Sequence, residues 1–406
     1  MTSFETHLPF GATASLLLLA AIATPTSSFA QRDLAADQLG AIAGQIAEVQ
    51  TKGGPYSPEL IDPLKTLSVL YQENGNYALA SAVLDQAMQV IRANYGLRSL
   101  EQAPLLQQRI RSEETRGNSA AAWKLEQDLV ALARRHPDDL SAAPILHEVG
   151  DKRMNLLDRY LAGERPPELV LGCFYEGPHR LQNQAGDGMA NCTSGERQVA
   201  ATAILMEAQR FYLQAINTFL RQRAYSSDEL RELETKLVHD SYAYSGSYQI
   251  GRRSLRRLVS YDVANEAPLS QRIDSLIQVA DWDLLFNERP AALTLYEQIH
   301  AYLEKQGAAQ DSIDRLFSPE TPYMLPTFAA NPAAPSDTAT GYVDLSFEVT
   351  RYGTTRRIDV VSSMNASKDA RSDLVRLIAR SRFRPIVQDG QFVRAASFVV
   401  RYYVEK

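Results

Sequence analysis

The chain has 406 residues, of which 45% are hydrophobic and 22% charged, with a formal net charge of −6. This length allows two or three domains, and the composition is that of an ordinary globular protein. The weak acidity gives no electrostatic reason to expect nucleic acid. The most apolar late run, Val199 to Leu220, is interrupted by Glu207, Gln209 and Arg210 and does not read as a membrane span.

Residues 1–30 read as a secretory signal. Leu16 to Ala23 is an apolar core, Pro25 breaks it, and Ser28-Phe29-Ala30 offers small residues to a signal peptidase. No Lys or Arg precedes the core. Cleavage after Ala30 is expected. The alternative is an uncleaved membrane anchor, for which the polar residues Thr13, Ser15 and Thr24 leave the stretch short.

Residues 31–317 read as a helical-repeat domain. Leu64, Leu67, Tyr71, Gly75, Tyr77, Ala80, Leu84 and Ala87 fall at the spacing of a helix-turn-helix unit, with Gly75-Asn76 as the turn. Gly117-Asn118 recurs 42 residues later, with Ala122 in the place of Ala80. Glu126 then stands where an apolar residue is expected. A further unit runs from Ile277 to Gly307 and carries Ala292, Tyr296 and Ile299. These units resemble tetratricopeptide repeats of the longer spacing. Such units bury their apolar faces only by stacking, so 140–270 is expected to be largely helical as well.

A Gly- and Pro-rich insertion, 164–197, interrupts this body. Cys173 and Cys192 lie within it and are expected to form a disulfide, the simplest use of an even pair in an exported chain. His179 between them does not complete a metal site. The insertion reads equally as a ligand-binding loop or as a decoration on the solenoid. Arg252, Arg253, Arg256 and Arg257 follow a Tyr-rich stretch, and their i, i+4 spacing is expected to form a solvated helix face.

Ser318 to Thr340 contains five prolines and is expected to be a semi-rigid spacer. Beyond it, 341–406 forms a small α+β module. Val343, Leu345, Phe347 and Val349 alternate strictly, the pattern of a strand with one buried face. Gly353 suits a turn, and a second strand is expected over Thr354 to Ser362 with Ile358 and Val360 on one face. Ser367 or Asp369 caps a helix to about Ser381 whose stripe is Leu374, Leu377 and Ile378. Asp389-Gly390 signals a hairpin turn, and Phe398, Val400, Tyr402 and Val404 alternate along a last strand. Residues 336–406 carry twelve Lys or Arg against eight Asp or Glu, so the module is basic and the remainder acidic.

The Gly-x-Val-x-Leu-x-Phe-x-Val strand, the Gly turn, the short helix, Arg382-Phe383-Arg384-Pro385 and the terminal aromatic strand together resemble the C-terminal domain of TonB. The resemblance covers 341–406. It implies a protein-binding role by β-strand addition, in which an extended receptor segment pairs with the last strand. The implied site is Arg394, Ser397, Phe398, Val400, Arg401, Tyr402 and Val404, with Arg394, Arg401 and Lys406 steering an acidic partner. It further implies outer-membrane receptors as partners. The export signal points to the periplasm, and a module of 66 residues has so marginal a core that strand exchange between two copies, giving a homodimer, or packing onto the helical body is expected. The expected fold class is therefore mainly α, a tetratricopeptide-like solenoid, followed by a TonB-like α+β domain. No His-Glu-x-x-His, nucleophile elbow or phosphate-binding loop occurs, so no enzyme, cofactor or metal is expected. The remaining alternatives are an anchored energy transducer and an envelope scaffold that self-assembles through the module.

Overall fold

The computed structural model describes residues 26–164, 194–327, 341–388 and 391–404. The apolar signal core, the Cys173–Cys192 pair, the second half of the Pro-rich segment, Asp389-Gly390 and Lys406 lie outside the described residues. The chain divides into two compact units, Met1–Ser112 and Glu113–Lys406. No helix among the described residues is long and apolar enough to cross a membrane.

The first unit contains α1 (Thr26–Gly53), α2 (Ile61–Glu73), α3 (Tyr77–Tyr95) and most of α4 (Ala103–Thr115). The repeat reading holds here. Leu64, Leu67, Ala80, Leu84 and Ala87 are all buried between α2 and α3. Gly75 ends α2 at φ +72, and the amide of Asn76 reaches back to the carbonyl of Tyr71 at 2.7 Å. That is a Schellman-type cap, which satisfies a helix carbonyl that would otherwise have no partner.

The second unit continues with α5 (Ser119–Arg134), α6 (Ala142–Leu161), α7 (Ser194–Arg221), α8 (Asp228–Asp240), α9 (Tyr248–Ala264), α10 (Leu269–Leu285), α11 (Arg289–Lys305) and α12 (Gln310–Phe317). A π-helical turn, Ser241–Ser245, prolongs α8. The same cap recurs along the chain. Asn118 bonds to Glu113 at 2.8 Å after Gly117, and Glu288 bonds to Asp283 at 2.7 Å after Asn287, whose φ is +68. Short connections with this cap fold successive helices back on one another, and the body is a tetratricopeptide-like solenoid.

Glu126 is 6% exposed in α5, yet it does not disrupt the repeat, because Arg153 of α6 donates to it. Arg153 also lies over the Trp123 ring and meets Glu207 of α7 at 3.3 Å. A buried charge is tolerated only with such partners. The arginines of α9 divide differently from the expected solvated face. Arg252 binds Asp283 through two donors and Arg257 binds Glu234, while Arg253 and Arg256 are exposed. The 3.6-residue period puts 252 and 257 toward the neighbouring helices and 253 and 256 toward solvent.

The module comprises β1 (Met324–Leu325), β2 (Gly341–Thr350), β3 (Thr355–Met364), α13 (Lys368–Arg380), β4 (Arg382–Phe383), β5 (Val387–Gln388), β6 (Gln391–Phe392) and β7 (Ala395–Val404). The main sheet has the order β3-β2-β7, all antiparallel. Val343, Leu345, Phe347 and Val349 are each no more than 1% exposed, contributing roughly 1.5–3 kcal/mol apiece. Ser367 caps α13 through Ala370.

Two expectations in the module need correction. Leu377 is 45% exposed, so only Leu374 and Ile378 carry the buried stripe of α13. Val360 is 41% exposed. The register of β3 against β2 slips twice, and Arg357 takes φ +53. These bulges break the alternation and twist β3 away from the core.

Candidate functional site

The Pro-rich segment departs from the expected semi-rigid spacer over its first half. Met324 and Leu325 pair with Phe383 and Arg382, so β1 is hydrogen-bonded into the module. The Ser318 hydroxyl donates to the carbonyl of Val387. Leu325 and Val387 are buried in one cluster with Ile273, Tyr296 and Phe317 of the last helices, and Phe392 packs against it. A module of this size has a marginal core of its own, and here it shares one with the solenoid.

Arg384 fastens this junction. Its Nε and Nη2 donate to the two carboxylate oxygens of Asp281 on α10 at 3.0 and 2.7 Å. Its Nη1 donates to the Leu316 carbonyl at 3.3 Å, and its guanidinium lies 4.6 Å from the Tyr323 ring centroid. The Tyr296 hydroxyl donates to the same Asp281 at 2.6 Å. Arg384 and Asp281 are 6% and 4% exposed. Burial alone would lower the Arg384 pKa, but the Asp281 charge and hydrogen bonds override it and hold the guanidinium firmly protonated. Burial, then the Asp281 charge, raises the Tyr296 hydroxyl well above its ordinary value. The β2–β3 turn closes the junction from the other side. A Cβ on Gly353, at φ +69, would lie 2.3 Å from the Phe383 carbonyl and 2.9 Å from Leu284 of α10.

On this base the sheet presents β7 along one side. β7 pairs with β2 from Ala395↔Thr350 to Val404↔Gly341, and no strand neighbours its other edge among the described residues. Val400 and Tyr402 are buried in the module core, with Phe398 and Val404 half-buried beside them. Burial pushes the Tyr402 hydroxyl upward. Ser397, Val399 and Arg401 face solvent, Val399 being 68% exposed. Arg394 is exposed just before the strand.

Arg401, one of the expected steering residues, already has a partner within the sheet. Arg401 donates to both oxygens of Asp344, its cross-strand neighbour, at 2.8 and 3.0 Å and stacks 3.8 Å from the Tyr342 centroid. The hydrogen bond from Arg401, joined by one from Ser362, holds the Asp344 carboxyl below its ordinary value. Glu348 is likewise depressed by Arg356 and Arg357. The outer face of the sheet is thus largely self-neutralised, and Arg394 is the expected steering residue that retains an uncommitted charge among the described residues.

Sequence reasoning missed two features. The role of Arg384 was hidden because its partner lies 103 positions away. The outer edge of β3, which likewise has no strand neighbour among the described residues, was also missed; Val360, Val361 and Met364 are 41%, 60% and 51% exposed along it.

Solved structures that resemble the chain include helical-repeat proteins. One is a Podosopora anserina kinesin light chain with nearly identical TPR-like repeats, at 15% identity and a TM-score of 0.32, covering 62% of this chain and 99% of that one. A variant of it matches at 16% identity and a TM-score of 0.32, covering 62% and 97%. BtubC (BKLC) from P. vanneervenii matches at 10% identity and a TM-score of 0.34, covering 75% and 96%. No protein-family model and no curated protein matches the chain.

Proposed function

We propose that this chain is a non-enzymatic protein-binding scaffold of the bacterial periplasm. Its C-terminal module captures an extended partner segment by strand addition at β7, in the manner of the TonB domains it resembles. The observation that carries this reading is the ten-residue outer edge of β7, left without a strand neighbour among the described residues. Backbone donors and acceptors along such an edge are a template for one more strand. The fixed seat of the module on α10 supports a docking role over energy transduction, since the edge is held instead of being carried on a free tether.

Successive residues of a strand point their N–H groups to opposite sides. Of Val399→Pro and Val400→Pro, one therefore deletes a donor to β2 and the other a donor to the open edge. The variant that keeps the fold is expected to lose capture of a receptor-derived TonB-box peptide. Unchanged capture by a folded proline variant would contradict strand addition. Export is tested separately: the mature protein is expected to begin at Gln31, and an intact Met1 retained in the membrane would favour the anchored transducer.

The exposed apolar residues of β3 favour a second reading, a homodimer joined through that edge. Light scattering that gives twice the chain mass, reverting to a monomer in Val361→Lys, would support it.

A further inference from the structure

A cavity of about 310 Å³ opens between the end of α7, the loop after it, α8 and α9. Voids between well-packed helices rarely exceed the size of a water molecule, whereas this volume falls at the low end of small-molecule sites. Leu230 and Leu258 are buried against it, and Tyr225 and Tyr261 stand where it meets solvent. The mouth is held in place: the Tyr261 hydroxyl donates to the Ser226 carbonyl at 3.3 Å, and Asn265 Nδ2 donates to the Tyr225 carbonyl at 3.1 Å.

Two arginines, Arg231 and Arg257, supply the cationic part of the lining. Each has a buried carboxylate partner. Glu234, with a side chain 2% exposed, takes Arg257 Nε on one oxygen and Nη2 on the other. Asp262, fully buried, accepts from Arg231 and Gln271 on one oxygen and from Ser275 on the other. A guanidinium has five N–H donors. Arg257 commits Nε and Nη2, the latter shared between Glu234 and Ser254, and Arg231 commits Nη1 to Asp262. Both guanidinium groups therefore keep N–H donors beyond those already committed, and the carboxylates Glu234 and Asp262 beside them are already paired.

We propose that this cavity binds a small carboxylic acid with an aromatic or branched aliphatic body, its carboxylate accepting from Arg231 and Arg257 and its body lying against the leucines and tyrosines. Planar guanidinium groups match carboxylate geometry with paired donors. The apolar walls disfavour a multiply charged anion, which they cannot solvate.

The test is calorimetric titration of the full chain with phenylacetate and 4-methylpentanoate, with phenylacetamide as the neutral control. Saturable one-site binding of an acid is expected, at least ten times tighter than the amide. Arg231→Gln is expected to weaken it tenfold or more while leaving Asp262 its bonds to Gln271 and Ser275. Ala264→Trp, at an exposed position of the lining, is expected to abolish it by filling the mouth. Circular dichroism confirms that each variant is folded. No saturable binding of either acid, equal binding of the amide, or binding unchanged in both variants would overturn the proposal.

Discussion

Arg384 is where one side chain decides the placement of a whole module. Removing one member of a buried ion pair strands the other, at a cost of about 3–5 kcal/mol. Arg384→Ala is expected to destabilise the chain by that order in chemical denaturation, and Arg384→Lys to recover only part, because a point charge cannot match both oxygens of Asp281. Asp240 offers the opposite case. It is 5% exposed, its Oδ2 has no hydrogen-bond partner among the described residues, and burial raises its pKa to about 6 despite His239 nearby. A carboxyl raised on folding favours the folded state while protonated and loses that contribution as pH rises through the folded value. Stability is therefore expected to fall between about pH 4, the ordinary carboxyl range, and about pH 6. Asp240→Asn is expected to flatten that fall and raise the melting temperature at pH 7. An unchanged pH profile would contradict the assignment. Packing is as demanding at Gly251, where a Cβ would lie 2.1 Å from the Trp282 ring; Gly251→Ala is expected to destabilise by about 1–3 kcal/mol through overpacking.

At the scale of the element, the repeated cap explains how helices of dissimilar sequence keep one hairpin geometry. Gly117 sits at φ +71, so Gly117→Ala is expected to cost about 1 kcal/mol. Asn287→Gly at the equivalent turn is expected to gain a few tenths, measured by thermal denaturation. The caps after α2 and α4 were legible in the sequence because Gly-Asn recurs 42 residues apart. The cap after α10 was not, since Asn287 occupies its left-handed position. β2 was legible residue for residue, because burial on one face imposes strict alternation. β3 was not, because an edge strand with two register slips follows no fixed period. Glu126 read as a fault in the repeat for a related reason: its apolar environment is local, but Arg153, the partner that makes it tolerable, lies on the next helix.

At the scale of the molecule, the second unit is one folded body in which the solenoid's last helices and the module share a core. The sequence made the module visible through its alternation and turns, but its seat depends on β1 pairing with β4 and on Asp281, which no local pattern reveals. The excised 336–406 fragment is accordingly expected to melt well below the intact chain, having lost β1, Asp281 and the apolar cover of Val387. A fragment as stable as the whole would contradict the shared core. The most direct test of strand addition is amide hydrogen exchange of the intact chain with and without a bound TonB-box peptide. Alternate amides of 396–403 are expected to gain protection on binding, those whose N–H groups face away from β2. Protection confined to β3 or to the helices, with β7 unchanged, would contradict docking at this edge.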